Sequence, residues 1–190
     1  MAATLVFLAG IGNSEEDHWQ RHWHRRAPRG VWVEHDDWDA PVLGAWVGDL
    51  DRALRAVSGP KILVAHSLGC LLVPWWAAGY EDPEVAGAFL VAVPDADGPA
   101  FPEAAVGFGP TSLTSLPFPT TIVASRDDPY GPPDHARRLA DAWGSRFVDV
   151  GPKGHINLTS NLGAWHEGRE LFATHFGAAV SAGETGVTGA

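Results

Sequence analysis

Short apolar runs alternate along the chain with segments in which apolar residues recur at helical spacing. The apolar runs predict buried strands at residues 4–9, 31–34, 61–65, 86–91, 120–124 and 146–150. The segments between and after them predict helices at residues 14–26, 43–57, 68–78, 133–143 and 161–176. Such alternation is typical of a mostly parallel sheet with helices on both faces. We therefore predict an α/β fold built on a six-stranded sheet.

Two of the predicted helices carry more specific signals. The first is expected to begin at Ser14, with Asp17 three residues later as an approximate capping box. The helix at 68–78 is almost wholly apolar, which predicts that it is buried.

Two further segments are predicted to lack regular structure. Residues 94–119 are rich in Pro, Gly, Ser and Thr, and a loop of this length is usually functional. It is too short and too polar for a large lid domain. Residues 177–190 contain almost no large apolar side chain, so we expect a disordered tail after a single domain at 1–176.

The overall composition excludes several classes of protein. The 190 residues carry a formal net charge of −10, and the only basic cluster, at 21–29, is interrupted by Trp, His and Pro. This balance argues against a nucleic-acid partner. Cys70 is the single cysteine, so no intrachain disulfide can form. The N-terminal apolar run is too short to span a membrane, and we expect a cytoplasmic protein without a membrane partner.

The strand at 61–65 leads directly into a candidate nucleophile turn at 66–69, before the buried helix. A sharp strand-to-helix turn exposes a serine hydroxyl, here that of Ser67, and offers the Leu68 N–H to a developing oxyanion. Ala65 takes the place of the first glycine of the usual Gly-x-Ser-x-Gly pattern. The alternative is that Ser67 only caps the helix.

A serine nucleophile needs a base and an orienting acid, which follow it in the order Asp, His in folds of this kind. Asp128 follows the fifth predicted strand and His155 follows the sixth, so both should lie at the same sheet edge as Ser67. We favour Asp128 because Pro129 fixes the backbone after it, with Asp127 and Asp95 as alternatives.

The loop after the first strand, Gly10 to Asn13, is expected to supply a second oxyanion donor. We predict the Ile11 N–H, with that of Gly12 as the alternative. The candidate pocket residues are Gly12, Trp19, Trp38 and Trp75, although core packing is the commoner fate of a tryptophan. The i, i+4 pair His18 and His22 lacks further metal-ligand motifs, so no metal or cofactor is expected.

Four runs together resemble one family, the small serine hydrolases grouped with retinoblastoma-binding protein nine and YdeN. These runs lie at residues 17–20 (Asp-His-Trp-Gln), 37–41 (Asp-Trp-Asp-x-Pro), 64–70 and 154–157. The resemblance covers residues 5–176 and implies a compact α/β-hydrolase without a large lid. The Leu-x-Cys-x-Glu motif for binding retinoblastoma protein is absent from the sequence.

The resemblance implies that the nucleophile, acid and base are Ser67, Asp128 and His155. The expected function is hydrolysis of a small carboxylic ester, thioester or amide, with a preference for short, uncharged acyl groups. The alternatives are an acyltransferase and a binding or scaffold protein that keeps the fold with little catalysis. The sequence does not indicate the natural substrate or the oligomeric state.

Overall fold

A computed structural model of the protein describes residues 2–181. Its strands are β1 (Thr4–Leu8), β2 (Gly30–Trp32), β3 (Lys61–His66), β4 (Val85–Val91), β5 (Thr120–Ala124) and β6 (Arg146–Asp149). They form one sheet in the order β2-β1-β3-β4-β5-β6, in which all neighbours are parallel. The predicted α/β class and six-stranded sheet are confirmed.

Helices cover both faces of the sheet. They are α1 (Trp19–Arg26), α2 (Leu43–Arg55), α3 (Leu68–Gly79), α4 (Pro133–Trp143) and α5 (His166–Ser181), with a 3₁₀ turn at Leu158–Ser160. One core cluster packs α2, α3 and α4 against the sheet, and the other packs α1 and α5 against the opposite face. Along β1, Val6 and Leu8 enter the first cluster while Leu5 and Phe7 enter the second. This alternation follows from the two-residue repeat of a strand.

Helix α1 begins later than the predicted start at Ser14. The Ser14 hydroxyl donates to Oε1 of Gln20 at 3.0 Å instead of capping a first turn. The N-cap is His18, whose Nδ1 accepts the Gln20 N–H at 3.2 Å. The predicted capping box with Asp17 is therefore wrong.

The last helix is displaced toward the C-terminus relative to its prediction. Asn161 and Trp165 have positive φ angles of 52° and 42°, which an α-helix cannot accommodate, so α5 starts at His166. It continues through 177–181, where the carbonyl of Ala179 accepts the Ala3 N–H at 3.1 Å. The domain boundary at 176 is therefore too early for residues 177–181, while the remainder of the predicted tail, 182–190, lies outside the described residues.

The long segment between β4 and β5 contains no helix or strand, as predicted. An isolated bridge between Val42 and Val106 joins it to the start of α2. Among the described residues, no helix is both long and apolar enough to cross a membrane.

Candidate active site

The topology brings four loops to one edge of the sheet. Ser67 directly follows β3, and the loop at 10–13 follows β1, the neighbouring strand. Asp128 and His155 follow β5 and β6. Because the strands are parallel, their carboxyl ends meet at this edge, which is where ligands bind in open α/β sheets.

The turn at Ser67 is strained and tightly packed. Ser67 has a φ of 53° and a ψ of −128°, a region that non-glycine residues rarely adopt, and its side chain makes no capping hydrogen bond. A Cβ on Gly69 would lie 2.6 Å from the carbonyl oxygens of Leu8 and Ala9, so only glycine fits there. Because its hydroxyl makes no capping hydrogen bond, the side chain of Ser67 does not act as the cap of α3.

The Ser67 hydroxyl lies at the end of a hydrogen-bonded chain of three side chains. Its Oγ is 2.7 Å from Nε2 of His155, and Nδ1 of His155 is 2.8 Å and 2.9 Å from the two carboxylate oxygens of Asp128. The side chains of His155 and Asp128 are 9% and 1% exposed. Asp128 also accepts the Tyr130 N–H at 2.9 Å, which fixes the carboxylate. The structure thus brings together all three predicted residues.

The two alternative acids have other partners. Oδ1 of Asp127 accepts the Ser125 hydroxyl at 2.8 Å and the Gly154 N–H at 2.7 Å. These bonds hold the pKa of Asp127 below its usual range. Asp95 lies 3.5 Å from Nδ1 of His135. Within the described part of the chain, the only aspartate that bonds to the ring of His155 is therefore Asp128.

The loop after β1 passes directly beside the serine. A Cβ on Gly10 would lie 2.9 Å from Cβ and 3.3 Å from Oγ of Ser67, so the approach requires glycine. The Gly12 N–H already donates to the carbonyl of Trp38 at 2.8 Å. By contrast, the N–H groups of Ile11 and Leu68 donate to no acceptor within residues 2–181. This arrangement favours Ile11 over Gly12 as the second oxyanion donor.

A cavity of about 290 Å³ opens beside Ser67. Its apolar lining residues are Ile11, Leu68, Pro94, Phe101, Pro102, Tyr130 and Leu158. Its polar lining residues include Asn13, Glu15, His18, Asn157 and Thr159. The sequence pattern identified Gly12 among the lining residues. It also predicted a functional loop at 94–119, which supplies Pro94, Phe101 and Pro102. It missed the polar lining residues, because nothing in the periodicity marks them.

The three tryptophans predicted for the pocket do not line it. Trp19 is buried in the core, where its Nε1 donates to the carbonyl of Ile156 at 2.9 Å. Trp38 packs against the rings of His35 and Trp46. Trp75 lies on α3 and packs against the core cluster between the sheet and helices α2, α3 and α4. Core packing accounts for all three rings, so the pocket prediction is wrong for them.

Two residues of the run at 17–20 make hydrogen bonds to the segments that position Ser67 and His155. Gln20 is fully buried, and its Nε2 donates to the carbonyls of Leu8 and Val64 at 3.0 Å each. It therefore joins β1 and β3, the strands that lead into the loop at 10–13 and into Ser67. Trp19 holds Ile156, the residue after His155. These positioning contacts were not foreseen, although the run itself was recognised.

His66, next to the serine, supports the loop that carries His155. Its Nε2 donates to the carbonyl of His155 at 2.9 Å. Burial lowers the pKa of His66 well below its ordinary value, and the neighbouring histidines act in the same direction. His66 is therefore a neutral donor at physiological pH.

The chain is similar to known serine hydrolases. The serine hydrolase family model matches residues 5–174. A YdeN-like hydrolase from Pectobacterium atrosepticum is 30% identical, with 94% of this chain and 93% of that chain covered and a TM-score of 0.82. No curated protein matches the chain significantly.

More distant structures share the fold. The ydeN gene product of B. subtilis is 18% identical, with 93% and 100% of the two chains covered and a TM-score of 0.72. A thermophilic esterase from Thermogutta terrifontis is 16% identical, with 92% of each chain covered and a TM-score of 0.62. The protein thus belongs to the serine hydrolase family, has the fold of the α/β-hydrolases, and is similar to a YdeN-like hydrolase over nearly its whole length.

Proposed function

We propose that the protein hydrolyses a small carboxylic ester, thioester or amide through an acyl-enzyme on Ser67. The observation that carries this proposal is the hydrogen-bonded chain from Ser67 through His155 to the buried carboxylate of Asp128. A binding module needs no such chain, whereas a serine becomes an effective nucleophile only when a base takes its proton.

The geometry supports the following sequence of steps. Nε2 of His155 takes the hydroxyl proton as Oγ of Ser67 attacks the substrate carbonyl carbon, and Asp128 stabilises the imidazolium that forms. The carbonyl oxygen, now negative, accepts from the N–H groups of Leu68 and Ile11. His155 then gives the proton to the leaving group as its bond to the acyl carbon breaks.

Deacylation repeats these steps with water as the nucleophile. His155 takes a proton from water, the hydroxide adds to the acyl carbon, and the oxyanion again meets the same two N–H groups. Collapse releases the carboxylic acid and returns the proton to Ser67.

The single cysteine does not offer a competing nucleophile. Cys70 lies one turn into α3, fully buried, and its Sγ donates to the carbonyl of Val91 at 3.4 Å. Burial raises the pKa of the thiol far above its ordinary value, so the reactive thiolate is not formed near neutral pH.

Labelling with a fluorophosphonate tests the proposal without knowledge of the substrate. We expect mass spectrometry to place one adduct on Ser67, and Ser67→Ala to abolish both the labelling and the hydrolysis of p-nitrophenyl acetate. Ser58→Ala, at an exposed serine, is the matched control and should label normally. An adduct on another residue, or none on folded protein, would overturn the proposal.

A further inference from the structure

A second cavity, of about 90 Å³, lies where α1 meets the start of α5, and it shares no lining residue with the cavity beside Ser67. It is lined by His22, Trp23, Arg26, Ala164, His166 and Arg169. Two of these six side chains carry a guanidinium and none carries a carboxylate. The volume is far below the range of about 300–1,000 Å³ that is common for ligand pockets, so this cavity suits a single chemical group.

The guanidinium of Arg169 is held at this cavity without a counter-ion. Its Cζ lies 5.4 Å from the centroid of the Trp23 ring and 5.9 Å from that of the Phe172 ring. Nη1 is buried and has no hydrogen-bond partner among the described residues, while Nε and Nη2 keep accessible surface. Partial burial lowers the pKa of Arg169, and no neighbouring acid opposes that effect. A partly desolvated charge without a counter-ion is unfavourable, although the aromatic rings compensate for part of the cost.

Arg26 brings a second positive charge to the same cavity, and its side chain is exposed to solvent. Its Nη1 donates to the carbonyl of His22 at 3.3 Å and lies 3.4 Å from Nδ1 of that ring. Nη2 of Arg25 lies 3.3 Å from the same Nδ1. Because a guanidinium can only donate, Nδ1 of His22 is the acceptor of these contacts. The ring nitrogen that His22 has left is therefore a donor, Nε2–H.

The acidic side chains near these helices do not neutralise the two cavity arginines. Glu16 pairs with Arg25 at 2.7 Å, and Glu167 pairs with Lys153 at 2.9 Å. Glu170, like every other acid of residues 2–181, forms no ion pair with either cavity arginine. In a chain of net charge −10, two arginines thus line one small cavity that has no carboxylate.

The segments that form this cavity are held together by buried contacts. Nε1 of Trp23 donates to the carbonyl of Ala164 at 2.9 Å, which ties the loop before α5 to α1. The ring of Trp23 also packs against those of Trp19 and Trp165, with centroid distances of 4.8 Å and 6.0 Å. A site whose parts are already in place loses less entropy when a ligand binds.

We propose that this cavity is a binding site for a phosphate dianion, held by the guanidinium groups of Arg169 and Arg26. Two arginine charges balance the dianion, and a planar guanidinium can donate to two of its oxygens at once. Binding supplies the counter-ion that Arg169 lacks among the described residues. The ligand is inorganic phosphate or the phosphate group of a small monoester, and the inference does not depend on the proposed function.

Titration with inorganic phosphate, at an ionic strength held constant with sodium chloride, tests this inference. The readouts are the nitrogen–proton NMR signals of the Trp23 indole and of Nε–H of Arg169. We expect both signals to shift saturably with millimolar phosphate, and much less with acetate, which carries one charge. A parallel titration with glycerol phosphate distinguishes the two sources: tighter binding than that of phosphate identifies a monoester as the ligand, and weaker binding identifies free phosphate.

Three substitutions locate the binding site. Arg169→Gln should weaken phosphate binding at least about tenfold, because it removes a charged hydrogen-bond donor. Arg26→Gln should also weaken it, and its exposed position keeps the test available if Arg169→Gln does not fold. Arg137→Gln is the matched control, because Arg137 also lies over an aromatic ring, 4.2 Å from the centroid of Phe147, and its loss changes the net charge equally. We expect the control to bind phosphate as the unmodified protein does.

Several outcomes would overturn the inference. One is the absence of a saturable shift of the Trp23 indole signal with either phosphate compound. Another is an unchanged affinity in both Arg26→Gln and Arg169→Gln. Equal affinities for phosphate and acetate, or an equal loss in Arg137→Gln, would show only screening of surface charge. All of these outcomes leave the fluorophosphonate test of Ser67 unaffected.

Discussion

Two consecutive aspartates at the end of β5 have different partners. Asp128 is buried and both its oxygens face Nδ1 of His155, which fixes the tautomer that presents a lone pair to Ser67. Asp127 faces the other way and holds the N–H of Gly154, immediately before His155. One carboxylate therefore orients the ring, and the other fixes the backbone that carries it.

Asp128→Asn should lower kcat by a factor on the order of 10⁴, because an amide no longer selects the required tautomer, as in the known triad enzymes. Steady-state hydrolysis of p-nitrophenyl acetate measures the effect. Asp127→Asn is the matched control: its amide oxygen still accepts from Gly154, so we expect less than about a tenfold loss. Equal losses in the two variants would remove the distinction between their roles.

The residues that could be predicted are those whose position follows from the chain order of the strands. Ser67 directly follows a predicted strand, and Asp128 and His155 each lie in the loop after one, so their meeting at one sheet edge could be inferred. The surroundings of Trp19 and the tautomer of His18 could not be predicted in this way. A large ring gives the same pattern in a core as in a pocket, and the tautomer of a histidine depends on a partner that only the fold supplies.

Among the elements, α1 connects the two strands that lead into the loop at 10–13 and into Ser67. Gln20 uses both protons of its amide for carbonyls on β1 and β3, and Ser14 occupies its oxygen. The prediction of the helix was correct, but its start was not, because Ser14 bonds to a side chain instead of the backbone. A polar residue buried at the junction of two strands has no signature in hydrophobic periodicity.

Gln20→Met should lower the free energy of unfolding by about 1–3 kcal/mol, because it leaves buried carbonyls without donors. It should also lower kcat at least about tenfold, since small misplacements of reacting groups are costly, while KM changes less. Urea unfolding and steady-state kinetics provide the two measurements. Ser14→Ala, which removes only the partner of the amide oxygen, should lower stability but spare kcat. An unchanged kcat in Gln20→Met would show that the hydrogen bonds from Gln20 to β1 and β3 do not position the site.

At the scale of the whole molecule, the cavity beside Ser67 is lined by loops at the sheet edge and by one long loop. Pro94, Phe101 and Pro102 from this long loop cover part of the cavity, and Tyr130 and Leu158 also line it. The cavity volume of about 290 Å³ lies just below the range of about 300–1,000 Å³ that is common for ligand pockets. No helix or strand of residues 92–119 extends this cover into a tunnel.

The size of the cavity predicts how activity depends on acyl chain length. Each buried CH₂ contributes about 0.8 kcal/mol only where water is excluded, so the gain should stop once the acyl chain fills the cavity. Across p-nitrophenyl esters from acetate to palmitate, kcat/KM should therefore peak at a short chain and fall for longer ones. The hemisuccinate, with nearly the length of butyrate and a negative charge, should be poorer than butyrate because Glu15 and the acidic surface oppose it. A steady rise to palmitate would require a long apolar channel, and the long loop would then have to open to form it.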